Sequence, residues 1–316
     1  MFPRYIVMSY QRNRTNPTRF RTLTGLGVDH FDALLPYFHD EHDEYFRYHQ
    51  LDGSPRKGIR PPRIYSNSPL PGVADRLYFI LYYLKNNPLQ ETMADHFNMT
   101  VADCNRWIHL LYRLLRKAVT EAAVSPASTE RDLRALYERM DSEELTILLH
   151  DGTEREIPRP SDADEQCDKY SGKKKRHTVK NGIITTFLGA ILFVSPTVSG
   201  RVHDRRIADG YFFPDHSLVM QDTGYAGYRG NWKTVMPFKK PRGGSLDQMQ
   251  KSHNRFISSH RIRVEHCIGS SKILRIAKDE CRVRKEGFVD SVFHVSSAIH
   301  NLRMGVKLPL KFKINV

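Results

Sequence analysis

The chain has 316 residues, of which 40% are apolar, so it can bury one large core with a small one, or two of middling size. Its formal net charge is +14, and residues 151–316 carry +13 of it whereas residues 1–150 carry +1. The four cysteines form no CxxC pair, which argues against a zinc ribbon and a dense disulfide framework.

The uneven charge suits a polyanionic partner of the C-terminal half, although a generally basic protein is the plainer alternative. No stretch of the sequence reaches the roughly 18–20 apolar residues that a membrane span needs, and the N-terminus has no long apolar signal segment. We therefore expect a cytoplasmic, nucleoid-associated protein without membrane contacts.

The N-terminal part of the chain is predicted to be helical. Residues 1–25 are polar and Arg-rich and are expected to form a loose basic arm, and residues 26–50 have a helical pattern. Residues 52–72 are rich in Pro, Gly and Ser, which predicts a loop or an extended segment. A compact helical unit is then expected over residues 75–118, inside a helical domain that spans 26–125.

Residues 75–118 have the outline of a helix-turn-helix. A strongly apolar helix ends at Pro88, a short helix follows, and Thr100 can cap a third helix that runs to about Ala118. Asn105 and Arg106 are the exposed candidates for DNA contacts on the third helix. An ordinary three-helix packing unit is an equally good interpretation, and the near-neutral charge here does not favour tight phosphate binding. A linker helix is expected over residues 126–140.

Residues 141–305 have a different pattern, in which short apolar strands alternate with helices. Strands are predicted at 146–150, 177–187, 189–194, 218–221 and 233–237, and helices at 204–211, over about 30 residues ending at 274, and at 288–303. This order predicts an α/β fold with a mixed sheet flanked by helices, consistent with a ribonuclease-H-like domain. Residues 306–316 form a basic tail.

Three acidic residues stand out in this second domain. Asp151 and Asp222 each end an apolar run that reads as a strand, and Glu265 lies in a basic helical segment. Offsets of three and four residues place Glu265 on one helix face, with Ser258, Arg261, Ile268 and Lys272. Carboxylates that converge in this way can hold two divalent metals against a phosphodiester. A solvated helix face with paired charges is the alternative for the helix.

Several motifs together resemble the DDE-type insertion-sequence transposases, in the branch close to Harbinger-like enzymes. The motifs are Asp151-Gly-Thr, Tyr170–Thr178, Ser195-Pro, Gly200–Asp204, Asp222-Thr-Gly-Tyr225 and Arg261…Glu265…Lys272. The resemblance covers about residues 145–303. It implies a ribonuclease-H-like core with two Mg2+ or Mn2+ ions held by Asp151, Asp222 and Glu265. Ser258 stands where the family motif has Tyr.

The same resemblance implies DNA transposition, with double-stranded DNA as the partner in the form of terminal inverted repeats and target DNA. In that reaction two ends are cut and joined together, so at least a homodimer is expected in the active complex. Arg261 and Lys272 are expected to contact DNA phosphates. Two other interpretations remain open: a domesticated nuclease of the same fold, and a catalytically silent DNA-binding repressor.

Further candidates for DNA contacts surround the three acids in the sequence. The densest basic run, Lys173, Lys174, Lys175 and Arg176, is expected to contact the DNA backbone, with a solvated loop as the alternative. His203 and Asp204 are expected to support the site, although Asp204 could simply cap a helix. Tyr225, Tyr228 and Trp232 could stack on an unpaired base at the element's end, although Trp232 could equally pack in the core.

Overall fold

The computed structural model describes residues 8–58, 68–208, 211–226, 233–283, 285 and 287–311. These residues divide into two compact units: the described part of 1–122 with 273–276, and the described part of 123–272 with 277–312. No helix within the described ranges is both long enough and apolar enough to cross a membrane.

The first unit is helical. Its helices are α1 (Tyr10–Arg14), α2 (Pro17–Thr24), α3 (Val28–Tyr48), α4 (Val73–Asn86), α5 (Gln90–His96) and α6 (Val101–Glu121). The expectation of a loose arm over residues 1–25 is wrong for α1 and α2. Phe20 on α2 is fully buried, and Tyr10 on α1 stacks on Phe31 with ring centroids 5.2 Å apart. Burial of these rings stabilises a segment whose polar composition suggested none.

Helices α4, α5 and α6 form the predicted short-helix, turn, long-helix outline. The Thr100 side chain accepts a hydrogen bond from the Asp103 backbone N–H, which is the N-cap that the sequence predicts for α6. Asn87 and Asn98 adopt left-handed backbone conformations after α4 and α5, and asparagine tolerates this better than most residues. The turn chemistry of the sequence therefore sets the ends of these helices.

The remaining elements alternate between strands and helices. The strands are β1 (Ile147–Glu156), β2 (Tyr170–Ser171), β3 (Arg176–Thr186), β4 (Ile191–Val194), β5 (Val198–Ser199), β6 (Leu218–Met220) and β7 (Lys233–Val235). The helices are α7 (Glu130–Tyr137), α8 (Ala163–Lys169), α9 (Asp204–Ala208), α10 (Gln248–Ser271), α11 (Arg275–Lys278) and α12 (Phe288–Arg303). The last helix has the bounds that the sequence predicts.

The strands form one mixed sheet in the order β2-β3-β1-β6-β7, and β4 and β5 also pair with β3. Strand β3 runs antiparallel to its neighbours β1 and β4, whereas β6 runs parallel to β1 and β7 runs parallel to β6. This is the ribonuclease-H-like mixed sheet flanked by helices that the sequence predicts.

Both faces of the sheet are buried. On β1, Leu148 contributes to one apolar cluster, whereas Leu149 contributes to a different one, because successive side chains point to opposite faces. On β3, Ile184 likewise belongs to the apolar cluster on one face and Ile183 to a cluster on the other face. The continuous apolar character of these strands follows from burial on two sides.

Candidate active site

The parallel pairing of β1 with β6 brings two of the three predicted acids together. Leu149 is the register partner of Met220. The same register continued by two residues places Asp151 beside Asp222, because side chains two residues apart share a face. Asp151 lies inside β1 and pairs with Ile183, so the expectation that it ends its strand is wrong. Asp222 lies just beyond β6 and caps a 3-10 turn through the Thr223 N–H at 2.6 Å.

Arg261 joins the two carboxylates. Its Nη2 lies 3.5 Å from Asp151 Oδ2, and its Nη1 lies 3.6 Å from Asp222 Oδ1. The Arg261 side chain is only 12% exposed, and its Nε is buried without a hydrogen-bond partner in the described part of the chain. Both distances are long for hydrogen bonds, so the attraction is mainly between charges.

Glu265 reaches the same region from α10. Val264, the preceding residue, packs in one apolar cluster with Leu149 and Met220, which lie two residues before Asp151 and Asp222 on the same sheet face. Glu265 itself is exposed and lies one helical turn beyond Arg261. The packing of Val264 therefore fixes the helix over the face that carries the two aspartates.

Electrostatics link the three acids. Burial raises the pKa of Asp151 above its ordinary value, and the negative charges of Asp222 and Glu265 act in the same direction. The Gly152 N–H, which donates to Asp151 Oδ1 at 2.8 Å, and the Arg261 charge oppose this rise in the pKa. A cation at this position is therefore favourable, and Arg261 supplies one.

A buried polar layer lies on the opposite face of the same strand segments. The Gln221 amide nitrogen and His150 Nδ1 are 2.9 Å apart, which ties β6 to β1 directly beside the acids. Burial, reinforced by the Arg261 charge, lowers the pKa of His150 to about 3, so the ring is neutral near pH 7. The sequence analysis missed this pair, although a polar residue directly before each aspartate in an apolar run was a visible signal.

Two glycines make room for tyrosine hydroxyls in this layer. Gly152 on β1 pairs with Gly182 on β3. A Cβ atom at Gly152 would lie 3.1 Å from Tyr225 Oη and 3.8 Å from Asp204 Oδ1, and one at Gly182 would overlap the Tyr211 hydroxyl. Glycine inside a strand often marks such a close approach, which is the signal that could have found these positions.

Tyr225 belongs to this layer and does not present its ring to solvent. The side chain is 2% exposed, and the ring centroid lies 4.3 Å from that of His150. The prediction that Tyr225 stacks on a base is therefore contradicted by the burial of its side chain. Tyr228 and Trp232 lie outside the described residues.

Asp204 lies close to the acids at the start of α9. Its Oδ1 accepts a hydrogen bond from Lys180 Nζ at 3.2 Å, and Lys180 also donates to the Val202 carbonyl. His203 is exposed, and its Nδ1 accepts from the Arg205 N–H at 3.3 Å. This arrangement anchors the β5–α9 connection to β3 beside the site.

The basic run lies at the far end of the same strand. Lys173, Lys174 and Lys175 form the exposed turn between β2 and β3, and Arg176 Nη1 lies 2.8 Å from Glu156 Oε2. Glu156 is five residues beyond Asp151 on β1, so this turn is about 17 Å from the aspartate along the strand. The structure thus separates the basic run from the acids, whereas the sequence analysis expected it beside them.

Lys272 is half-buried at the C-terminal end of α10. Its Nζ donates to the Glu154 carbonyl at 3.3 Å. Burial, with the positive charges of Arg155 and Lys174, lowers its pKa to about 8. Ser258, at the other end of the predicted stripe, is exposed. The residues of the predicted helix face therefore do not all lie beside the aspartates. Arg261 pairs with both of them, whereas Lys272 contacts the backbone further along β1.

In the first unit, the two predicted DNA-contact residues on α6 differ in their surroundings. Asn105 is half-buried, and its Nδ2 donates to Gln90 Oε1 at 3.1 Å, which connects α6 to α5. Arg106 is exposed and pairs with Asp103 at 2.8 Å. Arg106 is thus the more accessible of the two.

The donor atoms of the site suit a hard divalent cation, since carboxylate oxygens are the ligands that Mg2+ and Mn2+ prefer. Among the residues that the structure describes, no three acidic, histidine or cysteine side chains are close enough to hold a metal ion as they stand. Asp151 and Asp222 instead share the Arg261 guanidinium, so a cation already bridges them.

Sequence comparison finds relatives of the region that carries the three acids. Residues 150–301 match the family model described as DDE superfamily endonuclease. Over 153 residues the chain is 32% identical to a probable transposase for insertion sequence element IS702 from Microchaete diplosiphon. Residues 150–301 are thus similar to the DDE-type endonucleases and to an insertion-sequence transposase.

The aligned region covers 48% of this chain and 54% of the IS702 protein, so the chain spans about half the length of the curated relative that it matches. A structural comparison aligns 80% of the chain with 80% of the Mos1 transposase in a paired-end complex with the left transposon end, at 9% identity and a TM-score of 0.23. The ribonuclease-H-like fold of the second unit follows from its strand order and does not depend on that comparison. Asp151, Asp222 and Glu265 all lie within the matched residues.

Proposed function

We propose that the chain is a DNA transposase. Its helical unit binds the terminal inverted repeats of its element, and its DDE domain cleaves the phosphodiester at the element's end and joins the freed 3′-OH to target DNA. The observation that carries this proposal is the adjacent placement of Asp151 and Asp222 on parallel strands, within a domain of the DDE family.

Asp151, Asp222 and Glu265 are the residues that would hold the metal, as two Mg2+ or Mn2+ ions. The raised pKa of Asp151 and the Arg261 bridge support this, since both indicate that the site attracts a cation. When bound, such ions activate water or a 3′-OH as the nucleophile and stabilise the leaving oxygen.

The protein residues supply position and charge. Hydrogen bonding of β1 to β3 continues beyond Asp151 and fixes the backbone of this aspartate. If the two carboxylates bind metal, Arg261 must move away from them. Its planar guanidinium can then bind a DNA phosphate through two hydrogen bonds. His150 stays neutral on the opposite face of the sheet, so it adds no positive charge that would compete with a metal ion for the carboxylates.

The basic residues of the segment 151–316 would bind the DNA along the surface that leads to the acids. Arg261 lies at the acids, Lys272 is near Glu154, and the turn of Lys173–Lys175 lies about 17 Å from Asp151 along β1. B-DNA phosphates on one strand advance about 3.4 Å per step along the helix axis, so this distance corresponds to about five base pairs. Contacts at both places would orient the duplex along the strand direction.

End recognition is assigned to the α4–α6 unit, whose outline fits a helix-turn-helix, with Arg106 as its exposed basic candidate. Because two ends are cut and joined in one event, the active complex contains at least two copies of the chain.

A cleavage assay tests the proposal. The substrate is a DNA fragment that carries the element's own ends, incubated with the wild-type protein and Mg2+ or Mn2+, and both nicked ends and joined products are scored. Asp222→Asn is expected to abolish cleavage and to leave end binding intact. Asp215→Asn is the matched control, because Asp215 is exposed and lies outside the acidic set.

Each outcome has a defined meaning. Retained cleavage by Asp222→Asn overturns the active-site assignment. Cleavage without joining identifies a nuclease, and end binding by the wild type without metal-dependent cleavage identifies a repressor.

A further inference from the structure

A cationic pocket adjoins the Asp222 segment. It has a volume of about 560 Å³, within the usual range of ligand pockets. Arg205, Arg206 and Lys239 supply its positive charge, and His203, Thr223 and Gly224 form further parts of its wall. None of the residues that line it is acidic.

No carboxylate within the described ranges forms an ion pair with Arg205, Arg206 or Lys239. Asp204, the residue before Arg205, interacts instead with Lys180 at 3.2 Å. Three cations that have no ion-pair partner among the described residues surround this concave surface, and their positive potential favours an anion.

The position of the pocket identifies the anion. Thr223 and Gly224 line it and directly follow Asp222, whose carboxylate pairs with Arg261. An anion in the pocket is therefore a near neighbour of any phosphodiester held at the acids. In DNA the nearest anions to one phosphate are the next phosphates of the same strand.

We propose that Arg205, Arg206 and Lys239 bind a backbone phosphate of the DNA strand next to the scissile phosphodiester. The inference rests on the proposed function. The guanidinium groups offer paired donors that match phosphate oxygens, and Lys239 adds a compact charge. The phosphate could belong to the donor DNA that flanks the element or to the target DNA, and the two sources are separated by experiment.

The test measures DNA binding by the full chain without divalent metal, so that no cleavage occurs. One duplex contains the element's end with its flanking donor DNA, and a second contains a pre-cut end joined to target DNA. Neutral methylphosphonates replace single phosphates on either side of the scissile position. The variants are Arg205→Gln/Arg206→Gln and, as a control with equal charge loss, Arg131→Gln/Arg139→Gln, which changes two exposed residues outside the pocket.

We expect one methylphosphonate near the scissile position to weaken wild-type binding on the order of fivefold, as for a partly exposed charge pair. The same replacement is expected to have little effect in Arg205→Gln/Arg206→Gln and its full effect in the control pair. A response in the flank duplex assigns the pocket to donor DNA, and one in the joined duplex assigns it to target DNA.

Equal sensitivity of the wild type and Arg205→Gln/Arg206→Gln at every position in both duplexes overturns the inference. Cleavage of the end duplex by the wild type with Mg2+ is scored separately. If the wild type cleaves DNA but shows the same methylphosphonate sensitivity as Arg205→Gln/Arg206→Gln, only the proposed role of the pocket is rejected. Coupling without cleavage supports the pocket and rejects the proposed function.

Discussion

Arg261 Nη2 lies 3.5 Å from Asp151 Oδ2, and the same guanidinium reaches Asp222 through its other terminal nitrogen at 3.6 Å. The arginine is therefore a cation shared by two carboxylates on neighbouring strands. Because the contacts are charge pairs rather than short hydrogen bonds, they can be exchanged for stronger ligands without breaking a rigid network.

Arg261→Gln is expected to tighten Mn2+ binding to the DNA-free protein by about 10- to 30-fold, since it removes two competing charge pairs worth about 1 kcal/mol each. Isothermal titration calorimetry measures the change. Arg263→Gln is the control, because Arg263 lies on the same helix but stacks on Phe187. Equal tightening in both variants would show that only net charge matters.

Gly182→Ala is expected to destabilise the second unit by about 2–3 kcal/mol, because the added methyl group would overlap the Tyr211 hydroxyl inside the sheet. The melting temperature should fall by about 4–12 °C. Gly172→Ala provides the comparison, since nothing lies within 4 Å of a Cβ built there. A similar loss in both variants would contradict the packing argument.

His42 should make the helical unit sensitive to acid. Burial lowers its pKa to about 4, and the Arg76 guanidinium contacts its Nε2. The unfolded chain binds a proton at about 6.5, so the free energy of unfolding falls as pH drops from 6.5 towards 4, by about 2 kcal/mol at pH 5. His42→Gln should lose less stability than the wild type between pH 7 and pH 5.

Thermal unfolding at the two pH values checks this difference. His39→Gln serves as the control, because the His39 side chain is on the same helix and 53% exposed. If His39→Gln and His42→Gln respond alike, burial of His42 is not the cause.

The pKa of Lys272 allows its predicted contact with DNA to be tested. Its pKa of about 8 leaves about half of the amines neutral at pH 8. A phosphate contact favours the charged form, so DNA binding at pH 8 should take up about half a proton. Calorimetry in buffers of different ionisation enthalpy measures this uptake. Lys272→Arg stays charged and should abolish it; unchanged uptake in Lys272→Arg would place the contact elsewhere.

Local patterns of the sequence predicted much of this fold. The bounds of α12 and the Thr100 cap of α6 both follow from periodicity and capping. These features depend on residues close together in sequence. The mixed sheet followed from the order of such elements.

Features that depend on tertiary pairing were missed. The apolar run ends near Asp151, but β1 continues to Glu156 because β3 supplies partners along its length. The His150–Gln221 contact joins residues 71 positions apart, and no single segment indicates it. The sequence grouped Arg261 with Lys272 by helical spacing, yet only packing decides which residue reaches the acids.

The continuation of β1 beyond Asp151 gives the two aspartates unequal freedom. Asp151 and the residues before and after it pair with β3, so the conformational entropy of its backbone is already lost on folding. Asp222 lies past the end of its strand, and its side chain is 51% exposed. One carboxylate is thus fixed in position and the other can adjust, which would let the proposed metal site exchange a planar guanidinium for a smaller spherical ion without distorting the sheet.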